Sequence, residues 1–320
     1  MIEIAVLEFD TSLPSSVAIT GDVLNTANNI SAATKRKPLF NVSRLRCGPR
    51  MQAAAIESAD LIIVPALGIS TELQLLKKLE SPECRRTGEI LYRAFDAGTA
   101  IAASCASTFL LAETGMLDNR RATTPWWLAG VFHHRYPNVE LASEKVVVPD
   151  WPVATAGAAM AQMDLMLAIV SKFGKQKLSD DCARYLLLDT RESQTPFISV
   201  SYLAGQDAKI AKAESWVRKH IASDFSINDI AAAVAMTPRT FARRLAVTSG
   251  LSPVRFVQRI RIETAKTLLE TTRQPVDEIS RQVGYAEPST LRKLLRRETN
   301  RSPGSFRAAL SLKSATSPPQ

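Results

Sequence analysis

The sequence VDEISRQVGYAEPSTLRKLL at residues 276–295 repeats the pattern of INDIAAAVAMTPRTFARRL at residues 227–245. In each copy, apolar residues recur at three- and four-residue steps, a short turn follows, and a second helical pattern with several basic residues begins. The copies are offset by 49 residues before the turn and by 50 after it, so the second turn carries one extra residue. This arrangement predicts two helix-turn-helix units that together form a paired DNA-reading head.

The similarity between the copies continues beyond the second helix. Ser252-Pro253 and Phe256 of the first copy recur as Ser302-Pro303 and Phe306 of the second. Between the copies, the residue pattern predicts one long helix at Pro253–Thr271. Such a helix would hold the two recognition helices at a fixed separation, so that one chain could read two successive major grooves of a duplex.

The second helix of each unit is expected to present a polar face to DNA. Thr237 is a candidate N-cap, and Pro238 and Pro288 suit the first helical positions of the two copies. Arginine suits base reading because its planar fork matches the O6 and N7 acceptors of guanine. Arg296 and Arg297 lie further along the second copy and are expected to meet phosphates. With the apolar residues facing inward, the outward positions are Arg239, Thr240, Ala242 and Arg243 in the first copy and Ser289, Thr290, Arg292 and Lys293 in the second.

Charge is distributed unevenly along the 320 residues. Residues 1–205 contain 20 Lys and Arg against 21 Asp and Glu, whereas residues 206–320 contain 20 against 10. Lys and Arg gain affinity for nucleic acids by releasing counterions condensed on phosphates, so only the second part is expected to meet a polyanion. A basic face that serves solubility alone is the alternative, and the helix-turn-helix repeat argues against it.

The first 175 residues alternate short β-rich runs with helical patterns. Alternating strands and helices predict a parallel sheet with helices on both faces. The predicted strands are Ile2–Phe9, Ala59–Pro65, Thr99–Ser104, Ala142–Val148 and Val153–Gly157. The predicted helices are Ser16–Ile30, Thr87–Ala97, Cys105–Thr114, Ala158–Phe173 and Ser179–Leu188.

Length and composition predict two domains joined by a linker. The segment 189–206 contains Thr, Ser, Gln, Pro and Gly and is interpreted as the linker. The first domain therefore spans 1–188, the DNA-binding domain spans 207–310, and the tail 311–320 is expected to be disordered.

Several functional classes are disfavoured by the sequence. The N-terminus has no basic lead typical of a secretory signal, and the longest apolar run, Thr155–Val170, is short for a membrane span and contains Asp164. A cytoplasmic protein without a membrane partner is therefore expected. Neither a disulfide framework nor a metal site is predicted, because the four cysteines are widely separated and the three histidines show no ligand spacing.

The sequence AASCAS at residues 102–107 places Cys105 among small residues between a predicted strand and a predicted helix. This is typical of a nucleophile elbow, where a tight turn exposes a reactive side chain and small neighbours avoid clashes. The N-terminus of the helix would favour a thiolate through its partial positive charge. The alternative is a buried, unreactive thiol.

Residues 211–310 resemble the AraC/XylS family of transcription regulators. The resemblance rests on ISRQVGY at residues 279–285, on the basic run that ends at Arg297, and on TNRSPGSFR at residues 299–307. It implies that base contacts fall on Arg239, Thr240 and Arg243 and on Ser289, Arg292 and Lys293. A helical bundle that does not touch DNA is the alternative reading.

Residues 2–173 resemble the PfpI-like branch of the class I glutamine amidotransferase-like superfamily. This resemblance rests on the strand 60–65, the elbow of Cys105 followed by FLLA at residues 109–112, and LDNRRATT at residues 117–124. It implies a flavodoxin-like parallel sheet. Such a domain followed by an AraC-type head is the layout of GlxA-like regulators.

Three departures from the enzymatic relatives argue against catalysis. Pro125 stands where a histidine often follows Ala-Thr-Thr, Ala66-Leu67 replaces a glycine pair, and Ser107 replaces a glycine after the cysteine. Without a base and oxyanion donors, a thiol does not turn over substrate. The elbow is therefore expected to hold a ligand instead. The candidate pocket residues are Ser104, Cys105, Ala106, Ala66, Leu67 and Trp126, and Trp126, Trp127 and Trp151 are candidates for an aromatic cage.

The sequence as a whole predicts a transcription regulator that binds double-stranded promoter DNA, senses a small molecule and forms a homodimer. The candidate dimer helices are Ala158–Phe173 and Ser179–Leu188. RNA polymerase is a further candidate partner, and no cofactor is implied. One alternative is a cysteine-dependent hydrolase or glyoxalase-like enzyme with a DNA-binding appendage, and another is a constitutive regulator whose first domain only dimerises.

Overall fold

The computed structural model describes residues 1–49, 51, 53–299 and 301–307. They form two compact units, the first spanning Met1–Gln194 and the second starting at Thr195. The boundary lies inside the segment 189–206 for which a linker is predicted. The predicted tail at 311–320 lies outside the described residues. In the part of the chain that is described, no helix is long and apolar enough to cross a membrane.

The first unit is an α/β domain. Its strands are β1 (Ile2–Glu8), β2 (Phe40–Arg46), β3 (Leu61–Leu67), β4 (Ala100–Cys105), β5 (Arg121–Ala122), β6 (Glu140–Leu141), β7 (Val147–Asp150) and β8 (Val153–Ala156). Its helices are α1 (Pro14–Ala33), α2 (Ala53–Glu57), α3 (Glu72–Leu79), α4 (Pro82–Asp96), α5 (Ser107–Glu113), α6 (Ala129–Arg135), α7 (Gln162–Gly174) and α8 (Gln176–Tyr185), with 3-10 turns at Trp126–Leu128 and Ala159–Ala161.

Six strands form the main sheet in the order β2-β1-β3-β4-β8-β7. The pairs from β2 to β8 are parallel, and β7 pairs antiparallel with β8 at the edge. Alternate residues of β3 enter different cores, because Ile62 and Val64 pack on the α4 and α5 side while Leu61 and Ile63 pack on the α1 and α7 side. The predicted parallel sheet with helices on both faces is confirmed.

The strand predicted at Ala142–Val148 lies later in the chain than expected, since β7 comprises Val147–Asp150. Residues 144–146 are nevertheless paired, because they bond to the end of the first unit. The amide of Gln194 donates to the carbonyl of Glu144 at 2.7 Å, and Lys145 forms an antiparallel bridge with Ser193. Two short pairings therefore replace the single predicted strand. Residues 144–146 pair with residues 192–194, and Val147–Asp150 pairs with β8.

The second unit is helical throughout its described residues. Its helices are α9 (Val200–Gly205), α10 (Ala208–Lys219), α11 (Ile227–Ala233), α12 (Pro238–Ser249), α13 (Pro253–Thr271), α14 (Val276–Gln282) and α15 (Pro288–Thr299), preceded by a 3-10 turn at Thr195–Phe197, and residues 303–307 are also helical. The helical content confirms the predicted all-α domain with two helix-turn-helix units, α11–α12 and α14–α15.

The last two thirds of the predicted linker, residues 195–206, are part of the second unit. Helix α9 buries Val200, Leu203 and Ala204, and Val200 and Ala204 belong to the core that surrounds α11 and α12. Thr195 is tied down as well, because its carbonyl accepts a hydrogen bond of 2.9 Å from the guanidinium of Arg259. This segment resembles a linker in sequence because Pro, Ser and Gly residues interrupt its apolar residues and helix α9 has only six residues.

Candidate DNA-binding surface and elbow pocket

Local interactions start and end the helices of the first helix-turn-helix unit. Ser226 and Asp229 form a reciprocal capping box at the start of α11. Thr237 caps α12 by accepting a hydrogen bond from the amide of Thr240, and Pro238 follows it. Helix α12 ends at Gly250, whose φ of 68° is the left-handed conformation that glycine adopts easily.

The inward faces of α12 and α15 are apolar and buried. Phe241 and Leu245 of α12 pack in one core, while Leu291, Leu294 and Leu295 of α15 pack in the other. All eight charged or hydroxyl-bearing residues for which DNA contact is predicted are exposed, and they are Arg239, Thr240, Arg243, Ser289, Arg292, Lys293, Arg296 and Arg297. The two helices thus present equivalent polar faces.

Some of these basic side chains already have acidic neighbours. Arg292 forms an ion pair with Asp277 at 2.8 Å, and Arg297 pairs with the buried carboxylate of Glu298 at 3.0 Å. Among the described residues, Arg239, Arg243, Lys293 and Arg296 form no ion pair. A phosphate or base would have to compete with Glu298 for Arg297, so Arg296 is the better candidate for a phosphate contact.

The turns of the two units differ in length by one residue, but both contain a left-handed residue at the same distance from the first helix. Ala235 and Gly284 follow the first helix of each unit, and both have positive φ, at 52° and 82°. An alanine tolerates this conformation at a cost of about 1 kcal/mol, whereas glycine adopts it freely. The second turn also lacks room for a side chain, because a Cβ on Gly284 would lie 2.3 Å from the carbonyl oxygen of Ile221.

In the first unit, Cys105 ends strand β4 with a φ of 56°, and α5 begins two residues later. This is the backbone geometry predicted for a nucleophile elbow. Leu67 is the register partner of Cys105 in β3, and the hydroxyl of Ser107 donates to the carbonyl of Pro65 at 2.6 Å. Ser107 therefore fastens the elbow to the neighbouring strand.

The thiol of Cys105 is buried, with 2% of the residue exposed. Desolvation raises the pKa of Cys105 to about 12, although a hydrogen bond with the backbone of Ala106 acts in the opposite direction. The helix N-terminus therefore does not produce a thiolate at neutral pH. His133 and His134 are exposed on α6, and neither is joined to Cys105 by a hydrogen bond in the described structure.

Five of the six predicted pocket residues lie at or beside the carboxyl ends of β3 and β4, and Trp126 lies in the 3-10 turn Trp126–Leu128. Ser104, Cys105, Ala106, Ala66 and Leu67 are buried, while Trp126 is partly exposed. Three hydroxyls of buried residues, on Ser104 and Thr108 beside the elbow and on Thr124, have no hydrogen-bond partner among the described residues. Buried polar groups are nearly always paired, so these hydroxyls favour a polar ligand or water at the elbow.

The three tryptophans considered for an aromatic cage do not come together. Trp127 packs in the core on the α5 side of the sheet, edge to face with Trp126 at 5.2 Å. Trp151 packs on the opposite side, where it contacts Phe173 at 5.9 Å. The cage is therefore wrong, because the sheet separates Trp151 from the other two.

Sequence reasoning did not identify Gln194, which is 3% exposed and lies at the end of the first unit. Its Nε2 is 3.0 Å from the carbonyl oxygens of Thr124, Ser143 and Lys145, and its Oε1 accepts from the amide of Ala158 at 3.0 Å. Its side chain lies against Gly157, just beyond β8. No local signal reveals this role, because the partners are 36 to 70 residues away in sequence.

Two family models match separate parts of the chain. The one described as the DJ-1/PfpI family matches residues 56–172, and the one described as a helix-turn-helix domain matches residues 230–309. In the part that is described, no group of three or more His, Cys, Asp or Glu residues could hold a metal ion.

Individual proteins are similar to parts of the chain. The HTH-type transcriptional regulator CdhR of Pseudomonas aeruginosa is 26% identical over 215 residues, which cover 66% of this chain and 63% of that protein. The HTH-type transcriptional activator RhaS of an Enterobacter species is 31% identical over 108 residues, 34% of this chain and 39% of that protein. A solved AraC family transcriptional regulator from Pseudomonas putida is similar with a TM-score of 0.49 and 21% identity, over 58% of this chain and 100% of that one. The chain thus spans less than two thirds of the length of the two curated relatives.

Proposed function

We propose that this chain, which joins a DJ-1/PfpI-type domain to an AraC-type helix-turn-helix domain, is a transcription regulator that reads promoter DNA with α12 and α15. The two family matches confirm the predicted combination of domains. The proposal is carried by one observation, namely two equivalent recognition helices with exposed basic faces in the part of the chain where basic residues outnumber acidic ones by 20 to 10. Lys and Arg side chains on such faces release counterions from the duplex and read guanine edges.

Selection of duplexes from a random pool by the full-length protein tests the DNA-binding proposal. We expect enrichment of a sequence with two short half-sites about one helical turn apart, because each recognition helix occupies one major groove. Recovery of no preferred sequence at moderate salt would exclude sequence-specific reading.

Arg243→Ala is expected to weaken binding to the selected duplex by about 1 to 3 kcal/mol and to relax the preference at one base position. Arg243 lies on the exposed face of α12 and forms no ion pair within the described residues, so its guanidinium is available for a base. Affinity measured for duplexes with each base changed in turn provides the check. A mutant with the wild-type binding profile would show that Arg243 does not read a base.

Arg296→Ala serves as the matched comparison because Arg296 is an exposed arginine further along the other recognition helix. A phosphate contact carries no sequence information, so affinity should fall on every duplex alike and the salt dependence of binding should decrease by about one counterion. Loss of discrimination at a single base pair would contradict the phosphate role.

For the first unit we propose the role of a sensor and dimerisation domain in a cytoplasmic regulator. The unpaired hydroxyls of Ser104, Thr108 and Thr124 support a small polar ligand at the elbow. Exposed apolar side chains support self-association near α8, where Tyr185 is 74% exposed and Leu187 is 93% exposed. A ligand would regulate the protein only by binding one arrangement of the dimer more tightly than another. RNA polymerase is then a natural partner at the promoter.

A cysteine-dependent hydrolase is the second candidate, favoured by the positive φ of Cys105. Burial and the raised pKa of its thiol oppose it. We therefore expect iodoacetamide to leave Cys105 unlabelled at pH 7 in the folded protein and to label it after unfolding in urea. Peptide mass spectrometry identifies the labelled site among the four buried cysteines. Rapid labelling of native Cys105 at pH 7 would favour the cysteine-dependent hydrolase over the sensor domain.

A further inference from the structure

The two helix-turn-helix units have separate cores that share helix α13. Phe256, Val257 and Ile260 belong to the core of the first unit, and Ile262, Ala265 and Leu269 belong to the core of the second. Ile221, which lies between α10 and α11, packs on both cores. The junction of the two cores is therefore formed by one turn of α13 together with the loop before α11.

Arg261 lies at this junction and contacts both units. Its guanidinium carbon is 5.4 Å from the ring centre of Phe225, which precedes α11, and 5.3 Å from the ring centre of Tyr285, in the turn of the second unit. Phe225 is in turn held edge to face by Trp216 at 5.4 Å. Each cation–π contact is favourable when the ring and cation are partly removed from water, and planar guanidinium can use both of its faces.

The turn of the second unit closes on the same arginine. A Cβ on Gly284 would lie 2.7 Å from one Nη of Arg261 and 2.3 Å from the carbonyl oxygen of Ile221. The equivalent residue of the first unit is Ala235, which has the same left-handed backbone with a side chain. Glycine at position 284 therefore has two roles. It permits the left-handed turn, and it leaves room for Arg261 and Ile221 to pack against the second unit.

We propose that Arg261 is a positioning residue for DNA reading. By lying between Phe225 and Tyr285 it fixes the angle between the two recognition helices, and with it the half-site spacing that the protein accepts. Helix α13 alone sets the distance between the two helix-turn-helix units. The contacts of Arg261 with Phe225 and Tyr285 also set the rotation of one unit relative to the other. This inference rests on the DNA-binding function proposed above.

The test uses full-length protein and the duplex that the wild-type chain selects, together with versions that have one base pair added or removed between the half-sites. One base pair turns the second half-site by about 34°, so the wild type should bind these versions at least about 10-fold more weakly. Arg261→Met should bind the selected duplex about 10-fold more weakly and should distinguish the three spacings by less than about 3-fold. A duplex with a single half-site should bind both proteins equally.

Matched variants separate positioning from loss of charge or of folding. Lys266→Met removes one positive charge from the same helix and should keep the wild-type spacing preference. Gly284→Ala should relax the preference as Arg261→Met does, because Gly284 lies against Arg261 in the second turn, whereas Ala235→Gly changes only the first turn and should keep the preference. Arg261→Lys keeps the charge without the planar fork and should give an intermediate result. Circular dichroism and melting curves establish that each variant is folded.

The outcomes separate this inference from the proposed function. If Arg261→Met keeps the spacing preference of the wild type, Arg261 does not position the units. If Gly284→Ala fails to fold, the Arg261 variants decide. If the wild-type chain selects no sequence, the proposed function fails and this inference falls with it.

Discussion

Gly157→Ala is expected to lower the free energy of unfolding of the first unit by about 3 to 5 kcal/mol. A Cβ on Gly157 would lie 2.2 Å from the amide carbon of Gln194, so the Gln194 side chain would have to leave its site. Its departure would break the bond to the amide of Ala158 and the bonds that its amino group shares among three carbonyls. Each buried group that loses its partner costs about 1 to 3 kcal/mol.

Urea unfolding followed by tryptophan fluorescence measures this effect. Trp216→Phe in all proteins confines the signal to the first unit, because the other three tryptophans lie there. Gly21→Ala is the control, since a Cβ at that helical position meets nothing within 4 Å and alanine favours helix. The double variant Gly157→Ala/Gln194→Ala should be no less stable than Gln194→Ala alone, because the two changes act on one contact. An unchanged midpoint for Gly157→Ala would contradict the assigned role of Gln194.

Raising the pH above 9 should destabilise the first unit, by up to about 1.4 kcal/mol per pH unit for each thiol that stays protonated in the folded state. Burial raises the pKa of Cys47 and of Cys105 to about 12 and that of Cys182 to about 11, and it also raises the pKa of Cys84. Unfolded thiols ionise near pH 8.5 to 9, so between that pH and the folded values the unfolded state has released protons that the folded state retains. The stability due to these neutral thiols is complete below pH 8.5 and is lost as pH rises through this window.

Urea midpoints between pH 8 and pH 10.5 test the pH dependence. Cys105→Ala should reduce the slope of stability against pH, because one of the four buried thiols with a raised pKa is gone. Val153→Ala removes buried volume from the same core without removing a thiol, so it should lower stability equally at all pH values. A slope that is unaffected by Cys105→Ala would show that the folded thiol is not protected from ionisation.

The architecture could be predicted from sequence wherever a pattern was long and regular. Strands β3 and β4 are continuous apolar runs, and the helix-turn-helix repeat predicted the order of α11 to α15, the start of both recognition helices and both ends of α13. Strand β2 was not predicted, because its sequence FNVSRLR lies at the sheet edge with mostly exposed polar side chains. Such a strand owes its position to pairing with β1 and not to its own hydrophobic pattern.

Some features of the candidate sites could be predicted from sequence, and others could not. The exposed faces of α12 and α15 followed from helical period, and the left-handed backbone of Cys105 followed from its small neighbours. The burial of Cys105 did not, because it depends on how β3, which contains Pro65 and Leu67, and helix α5 pack around the elbow. Arg261 is one of several arginines on α13, and only the three-dimensional structure distinguishes it by its two aromatic neighbours.

The adjacent residues Gln194 and Thr195 have consequences for dissecting the protein. A fragment that begins at residue 207, where the sequence suggested a domain start, would lack α9 and would leave Arg259 without its carbonyl acceptor. A fragment that ends at 188 would lose the amide that joins Thr124, Ser143 and Lys145. Expression boundaries and domain exchanges therefore belong at the peptide bond between 194 and 195, where a single cut leaves both halves with their own anchoring residue.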